Sequence, residues 1–267
     1  MSLRLLGAAG LAMVVAGAVQ AEDSKPRRVL AIFAHPDDEL FVAPALARAA
    51  REGEEVTYVY AASGDQGPGV SDMKRGAALA EHREGEALCA TRALSASETI
   101  FLRHGDGTLG VTAHHPQSSA RQLAQDLASL LVERDFDIVV TWGPDGGYGH
   151  ADHRMVSALV TQLVQAMGDE RPTLLYSAIR KGTLPPIPEM QAWAETGPAL
   201  ITLKYDYQPQ DLEAANMAAA CHASQFDEAS RAGMMTLFDQ SIWQGAVYFR
   251  HGLQARQSAA DAHQAED

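Results

Sequence analysis

The sequence predicts an α/β fold: a doubly wound, mostly parallel, Rossmann-like sheet with helices on both faces, built as a single domain. Three observations predict it. Short apolar runs of strand length alternate with longer stretches of helical periodicity, the pattern of βαβ units. The runs are nearly continuous in apolar residues, as RVLAIFA at 28–34 and DIVVTW at 137–142 show, and strands of that kind are buried on both faces. The chain has 267 residues, of which 46% are hydrophobic and 21% charged. That is long enough for a sizeable core and too apolar for a disordered, collagen-like or coiled-coil chain.

Taken in order, residues 28–34 form the first strand, stopped by a His-Pro-Asp-Asp turn. Residues 39–52 repeat apolar positions at helical spacing and end at Gly53, a helix stop. EVTYVYAA at 55–62 is rich in strand formers, and Gly64, Gly67, Pro68 and Gly69 then mark a loop. A long helix over 74–94 leads to a strand at 98–103, a glycine-rich loop at 104–117, a helix over 118–134 and a strand at 137–142. After the loop GPDGGYG at 143–149 come a helix over 150–167 and a strand at 173–180. Residues 182–198 are proline-rich and irregular. A strand near 199–205, helices near 210–222 and 227–239, and a strand near 245–250 complete the core.

The ends read differently. Arg4, the apolar run 5–18 and the small residues around Val19-Gln20-Ala21 have the form of a secretory signal over residues 1–21. The run is shorter than the roughly 20 residues a spanning helix needs. The expectation is a cleaved signal, a folded domain over 22–253 that works in the periplasm or outside the cell without a transmembrane segment, and a polar tail over 254–267. Cys89 and Cys221 are too few for a disulfide scaffold or a cysteine zinc site, and outside the cytoplasm they are free to pair. The formal net charge of −13, with no basic cluster, excludes nucleic acid as a natural partner.

Chemistry concentrates at two strand ends. His35-Pro36-Asp37-Asp38-Glu39 follows the first strand, where open α/β sheets place their ligands. Helix capping by Asp37 or Asp38 accounts for part of it, but not for a histidine and two adjacent carboxylates together. Neighbouring residues on a starting helix point about 100° apart, so one carboxylate is free to bind a metal while the other acts as a base. Tyr148-Gly149-His150-Ala151-Asp152-His153 follows the fourth strand, with its histidines at i, i+3. In a sheet of order 3-2-1-4 the first and fourth strands are neighbours at the switch point, and the two motifs face each other across one crevice. His, Asp and His form a nitrogen and oxygen set that suits zinc and tolerates iron. Three protein donors leave a position for water, whereas His150 as a fourth would close the shell.

AHPDDE at 34–39 with GHADH at 149–153 resembles the LmbE-like, or PIG-L-type, zinc deacetylases, which remove acetyl groups from N-acetylglucosamine conjugates. Arg83 and Glu86, Asp106-Gly107 and His222-Ala223-Ser224-Gln225 extend the resemblance. It implies that His35, Asp38 and His153 hold one Zn²⁺ (or Fe²⁺) per chain. Asp37 is then the general base, His150 steadies the oxyanion, and Tyr148 resembles a mobile tyrosine near the substrate carbonyl. Arg83, Asp65 and Asp106 are the candidate substrate-binding residues, and the expected partner is a small amino-sugar or glycan substrate. Two other readings use the same features: a metal phosphoesterase, and a sugar-binding protein that performs no chemistry. A dehydrogenase and a serine hydrolase lack their G-x-G-x-x-G and G-x-S-x-G signatures.

Overall fold

The computed structural model describes residues 25–254, so the signal at 1–21 and the tail from 255 onward lie outside the described residues. Seven strands form one sheet in the order β3-β2-β1-β4-β5-β7-β6. They are β1 (Arg28–Phe33), β2 (Glu55–Ala62), β3 (Glu98–His104), β4 (Ile138–Thr141), β5 (Thr173–Ala178), β6 (Leu203–Asp206) and β7 (Ala246–His251). The first five are parallel, with Val29 paired to both Val56 and Ile138. The chain then doubles back, because β7 runs antiparallel to β5 and β6 antiparallel to β7. The predicted order 3-2-1-4 is observed, and the switch point lies between β1 and β4.

The strand period of two splits β1 between two cores. Val29, Ala31 and Phe33 pack into a layer with α1 (Ala43–Arg51), α2 (Ala77–Ala93), α5 (Pro209–Cys221) and α6 (Glu228–Phe238). Leu30, Ile32 and Ala34 pack into the opposite layer with α3 (Ser119–Glu133) and α4 (Ala151–Ala166). Burial on both faces is what demanded near-continuous apolar strands.

Two of the boundaries that differ from the sequence expectation have a cause in proline. The helix expected over 39–52 starts with a 3-10 turn at Asp38–Val42, and α1 proper begins at Ala43. Pro44 accounts for the reset, since proline lacks the N–H an interior helical position needs and is accepted only in a first turn. The strand near 199–205 is shortened to Leu203–Asp206 behind a 3-10 turn at Pro198–Leu200. Cys89 of α2 and Cys221 of α5 are joined, with Cα atoms 5.8 Å apart. Among the described residues, no helix is long and apolar enough to cross a membrane.

Candidate metal centre

The turn after β1 carries backbone strain. Asp37 has φ of 95°, a left-handed conformation that side chains other than glycine rarely adopt and that clusters at functional sites. Its N–H donates to Glu39 Oε2 at 3.0 Å. Neither Asp37 nor Asp38 caps the following helix, so the capping reading is set aside. Asp38 Oδ2 instead turns back and accepts from the N–H groups of Ala34 and His35, both at 3.0 Å. Trp142 Nε1, from the end of β4, donates to the same oxygen at 3.2 Å. That fixes Asp38 and leaves Oδ1 facing His153 Nε2 at 3.1 Å.

His153 is fully buried in the first turn of α4. Its Nδ1 lies 3.2 Å from Gly146 O, which places the proton there and turns the lone pair of Nε2 into the cleft. Trp142 stacks on its ring, with centroids 4.6 Å apart. His35 Nδ1 is 3.3 Å from His153 Nε2 and 3.9 Å from Asp38 Oδ2. Donors bound at about 2.0–2.2 Å to one tetrahedral ion stand roughly 3.3–3.6 Å apart; the His35–His153 pair meets that spacing, while Asp38 faces His153 with Oδ1 and His35 with Oδ2. His150 also has a ring nitrogen within 4.8 Å of nitrogens on His35 and His153.

The far side of His35 gives an independent sign. Its buried Nε2 completes no hydrogen bond, although Asp106 Oδ1 lies 3.0 Å and Asp152 Oδ2 3.4 Å away. Burial alone would lower the pKa of His35. Asp106, Asp152 and Asp38 outweigh it and raise the value to about 10. A proton on Nε2, facing Asp106 and Asp152, leaves the Nδ1 lone pair directed toward His153 and Asp38. Carboxylates behind the outer nitrogen of a ligand imidazole are also the usual support of a bound metal.

The remaining predicted residues take definite places. His150 precedes α4 as its N-cap, with Nδ1 accepting from the N–H of Asp152 at 3.2 Å, so its proton sits on Nε2. Burial, helped by the neighbouring histidines, keeps its pKa below the usual imidazole value. Tyr148 is half-exposed and lies edge-on to His153, with ring centroids 4.9 Å apart. Arg83 is 4% exposed and spends its guanidinium on the carbonyls of Gly64, Gly67 and Pro36 and on Asp37 Oδ2 at 3.1 Å. Glu86, three residues along α2, receives the N–H and hydroxyl of Ser224. Burial pushes Asp37 up to about 6, against the downward pull of Arg83. Asp65 accepts from the N–H of Asp106, and Asp106 stands against His35.

Three contributors carried no assigned role in the sequence reading. Trp142 joins two donors. Buried Asp152 accepts from the N–H groups of Gly107 and Leu109 and ties the β3–α3 loop to α4. Glu39 accepts from Tyr60 Oη at 2.8 Å and pairs with His222 Nε2 at 2.6 Å, which fastens the strained turn to the end of α5.

A switch-point cleft in a doubly wound sheet, with two histidines and an aspartate meeting beside a second aspartate, defines a doubly wound α/β protein with a candidate metal site. The family described as PIG-L, GlcNAc-PI de-N-acetylase, matches residues 30–164, and the chain belongs to that family. The 1D-myo-inositol 2-acetamido-2-deoxy-alpha-D-glucopyranoside deacetylase of Kineococcus radiotolerans is 36% identical over 170 residues, covering 54% of this chain and 47% of the relative. The enzyme of the same name from Mycobacteroides abscessus is 30% identical over 204 residues, covering 70% of each. The chain thus spans about half the length of the first of these relatives and more of the second. Among solved structures, a zinc-inhibited form of the teicoplanin deacetylase Orf2 superposes with a TM-score of 0.62 at 17% identity, covering 87% of this chain and all of that one. The N,N'-diacetylchitobiose deacetylase of Pyrococcus horikoshii gives 0.58 at 20% identity, covering 84% and 82%. The 4-carboxy-2-hydroxymuconate hydratase GalB of Pseudomonas putida gives 0.60 at 16%, covering 87% and 98%. A hydratase on the same scaffold means that the fold alone does not fix the reaction.

Proposed function

We propose that the chain is an exported, metal-dependent amidohydrolase that removes an N-acetyl or other small N-acyl group from an N-acetylglucosamine-type amino sugar. The observation that carries this reading is the meeting of His35, Asp38 and His153 at one switch-point cleft, with Asp37 the chain neighbour of Asp38. His35, Asp38 and His153 would hold the ion. When bound, a zinc or iron ion in such a set supplies Lewis acidity, polarising the amide carbonyl and making water a stronger nucleophile.

The chain's own residues supply the proton chemistry. Asp37 takes a proton from the attacking water and delivers it to the departing nitrogen, so that the C–N bond breaks to a carboxylate and an amine. Its left-handed backbone and its pairing with Arg83 hold the carboxylate in place, which makes Arg83 a positioning residue. His150, capped at Nδ1, has an Nε2–H to donate to the oxyanion as charge develops there. Tyr148 keeps its phenol protonated, because burial raises its pKa, and stands at the rim as a second donor. Asp65 and Asp106 act through the His35 side of the cleft. Export is supported by the signal-like residues 1–21 and by the Cys89–Cys221 bridge, since such bonds persist in oxidising compartments. The test is acetate release by the metal-loaded protein from a panel of N-acetylglucosamine conjugates, with aryl phosphates alongside. Turnover of the phosphates, or of no conjugate at all by a protein carrying one metal per chain, would overturn the reading.

A further inference from the structure

Asp37 is held from two sides. On one side its backbone N–H reaches Glu39 Oε2, and Glu39 Oε1 pairs with His222 Nε2 at 2.6 Å. His222 ends α5, directly after Cys221. On the other side Asp37 Oδ2 accepts from Arg83 Nη2 at 3.1 Å. Arg83 sits on α2, with Glu86 about one turn and Cys89 about two turns further along. The Cys89–Cys221 bond joins the two sides, with Cα atoms 5.8 Å apart. Between the bond and the base, Glu86 accepts from the N–H and hydroxyl of Ser224 at 2.7 and 2.6 Å. Asp37, Arg83, α2, the disulfide, His222 and Glu39 therefore form one closed ring.

Two observations make the bond the part of this ring that opens. The fully buried apolar side chains of α5 are Ala215, Ala218 and Ala219. A methyl group removes little surface from water, so α5 gains little from burial there and relies on its tethers. Those are the pairing of Arg51 with Asp211 at its start, at 2.7 Å, and the disulfide at its end. Helix ends fray before helix centres, so untethering Cys221 loosens the turn that carries His222 and Ser224. Exposure is the second observation. Cys89 is exposed and Cys221 half-buried, whereas Arg83, Glu86, Glu39 and His222 are buried. Exposed disulfides are the ones open to exchange, so a thiol reaches the ring at its covalent link.

We propose that the Cys89–Cys221 bond is a redox-controlled positioning element for the general base: closed, it fixes Asp37, and opened by a dithiol, it lets turnover fall while the metal stays bound. The proposal rests on the amidohydrolase reading above, and its test separates the two. Opening proceeds by exchange. A thiolate of the dithiol attacks one cysteine sulfur and releases the other cysteine, and its second thiol then frees the first from the mixed disulfide. Two electrons and two protons pass to Cys89 and Cys221, and the dithiol is left as a disulfide. For the test, metal-loaded protein is reduced with a water-soluble phosphine, which takes oxygen from water to become the phosphine oxide. It is freed of reductant under nitrogen and compared with the bonded form well below the Tm of either, on an N-acetylglucosamine conjugate. Thiols and metal are counted per chain. Reduction should leave metal content and KM unchanged and lower kcat about 10-fold or more, since a displacement of about 1 Å costs up to about 10²-fold. Reoxidation should restore it, and Cys89→Ser with Cys221→Ser should match the reduced form. A bond that serves stability alone would lower Tm and leave kcat as it was. Equal kcat in the two folded forms overturns the proposal, and so does loss of the metal on reduction. Amide hydrogen exchange over residues 36–42 needs no turnover. Faster exchange there on reduction supports the ring even if the wild type hydrolyses nothing, an outcome that sinks only the amidohydrolase reading. Equal exchange in the two forms also overturns the proposal.

Discussion

Trp142 lies flat against His153, with ring planes 11° apart, and in the same position donates its indole N–H to Asp38 Oδ2 at 3.2 Å. One side chain thereby orients two of the three candidate metal donors. Trp142→Phe keeps a ring for the stack and removes the N–H. The expected result is a folded protein whose metal affinity falls about 10–100-fold, the usual cost of losing an outer support of a ligand. Titration with a competing chelator measures it, and wild-type affinity would show that the contact does not hold Asp38.

Asp37 and Asp38 are adjacent but differ in their surroundings. Asp38 is held by backbone N–H groups and faces His153, whereas Asp37 leans on Arg83. Asp37→Asn should retain stoichiometric metal and lose about 10²–10⁴-fold in kcat, the range of a general base. Asp38→Asn should lose the metal itself. Metal loss from the Asp37 variant would reverse the two assignments.

A base works only when ionised. Since burial raises Asp37 to about 6 against the pull of Arg83, kcat/KM should fall as the pH drops through that region, with a bound cation moving the limb lower. Arg83→Gln removes the pull, so the acid limb should shift to higher pH. A limb that stays in place would remove Arg83 from any positioning role.

The Glu39–His222 pair predicts a stability profile. Burial alone would lower the pKa of His222, and the Glu39 carboxylate more than offsets that, so the folded value lies above the ordinary one. The contribution is therefore complete below an unfolded value of about 6.5 and fades as the pH rises through the folded value. The Tm of metal-loaded protein should decline on the alkaline side. His222→Ala should flatten that slope and cost about 3–5 kcal/mol, because Glu39 is left buried without its partner.

Replacing Cys89 and Cys221 with alanine opens a link between residues 132 apart in sequence. Chemical denaturation should show a loss of about 2–5 kcal/mol, and reductant should lower the wild type to the same level. A reductant-insensitive wild type would mean that the bond contributes nothing.

Much of this was legible in the sequence, for reasons that differ by element. β1 and β4 declared themselves because both of their faces are buried, so composition alone reports them. The order of those strands then brought His35 and His153 together without any contact information. Boundaries were less legible. Pro44 reset the start of α1, and Pro198 displaced the sixth strand, because proline acts locally where periodicity averages over a window. The partners of Arg83 were not legible, since helical spacing gives neighbours along one helix and is silent about the carbonyls of Gly64 and Pro36 arriving from elsewhere. Trp142 had one available signal, a ring with a polar handle closing a buried strand at the switch point. Glu39 meeting His222 had none, being separated by 183 positions.

The connection that follows β5 has a consequence for inheritance. Ile187, Met190 and Trp193 line a cavity beside Asp37 and Asp38, on a connection that supplies none of the candidate donors. Insertions or replacements in that stretch can change which molecules are admitted while the reacting groups stay as they are. Lineages that share this scaffold can therefore diverge in diet before they diverge in chemistry.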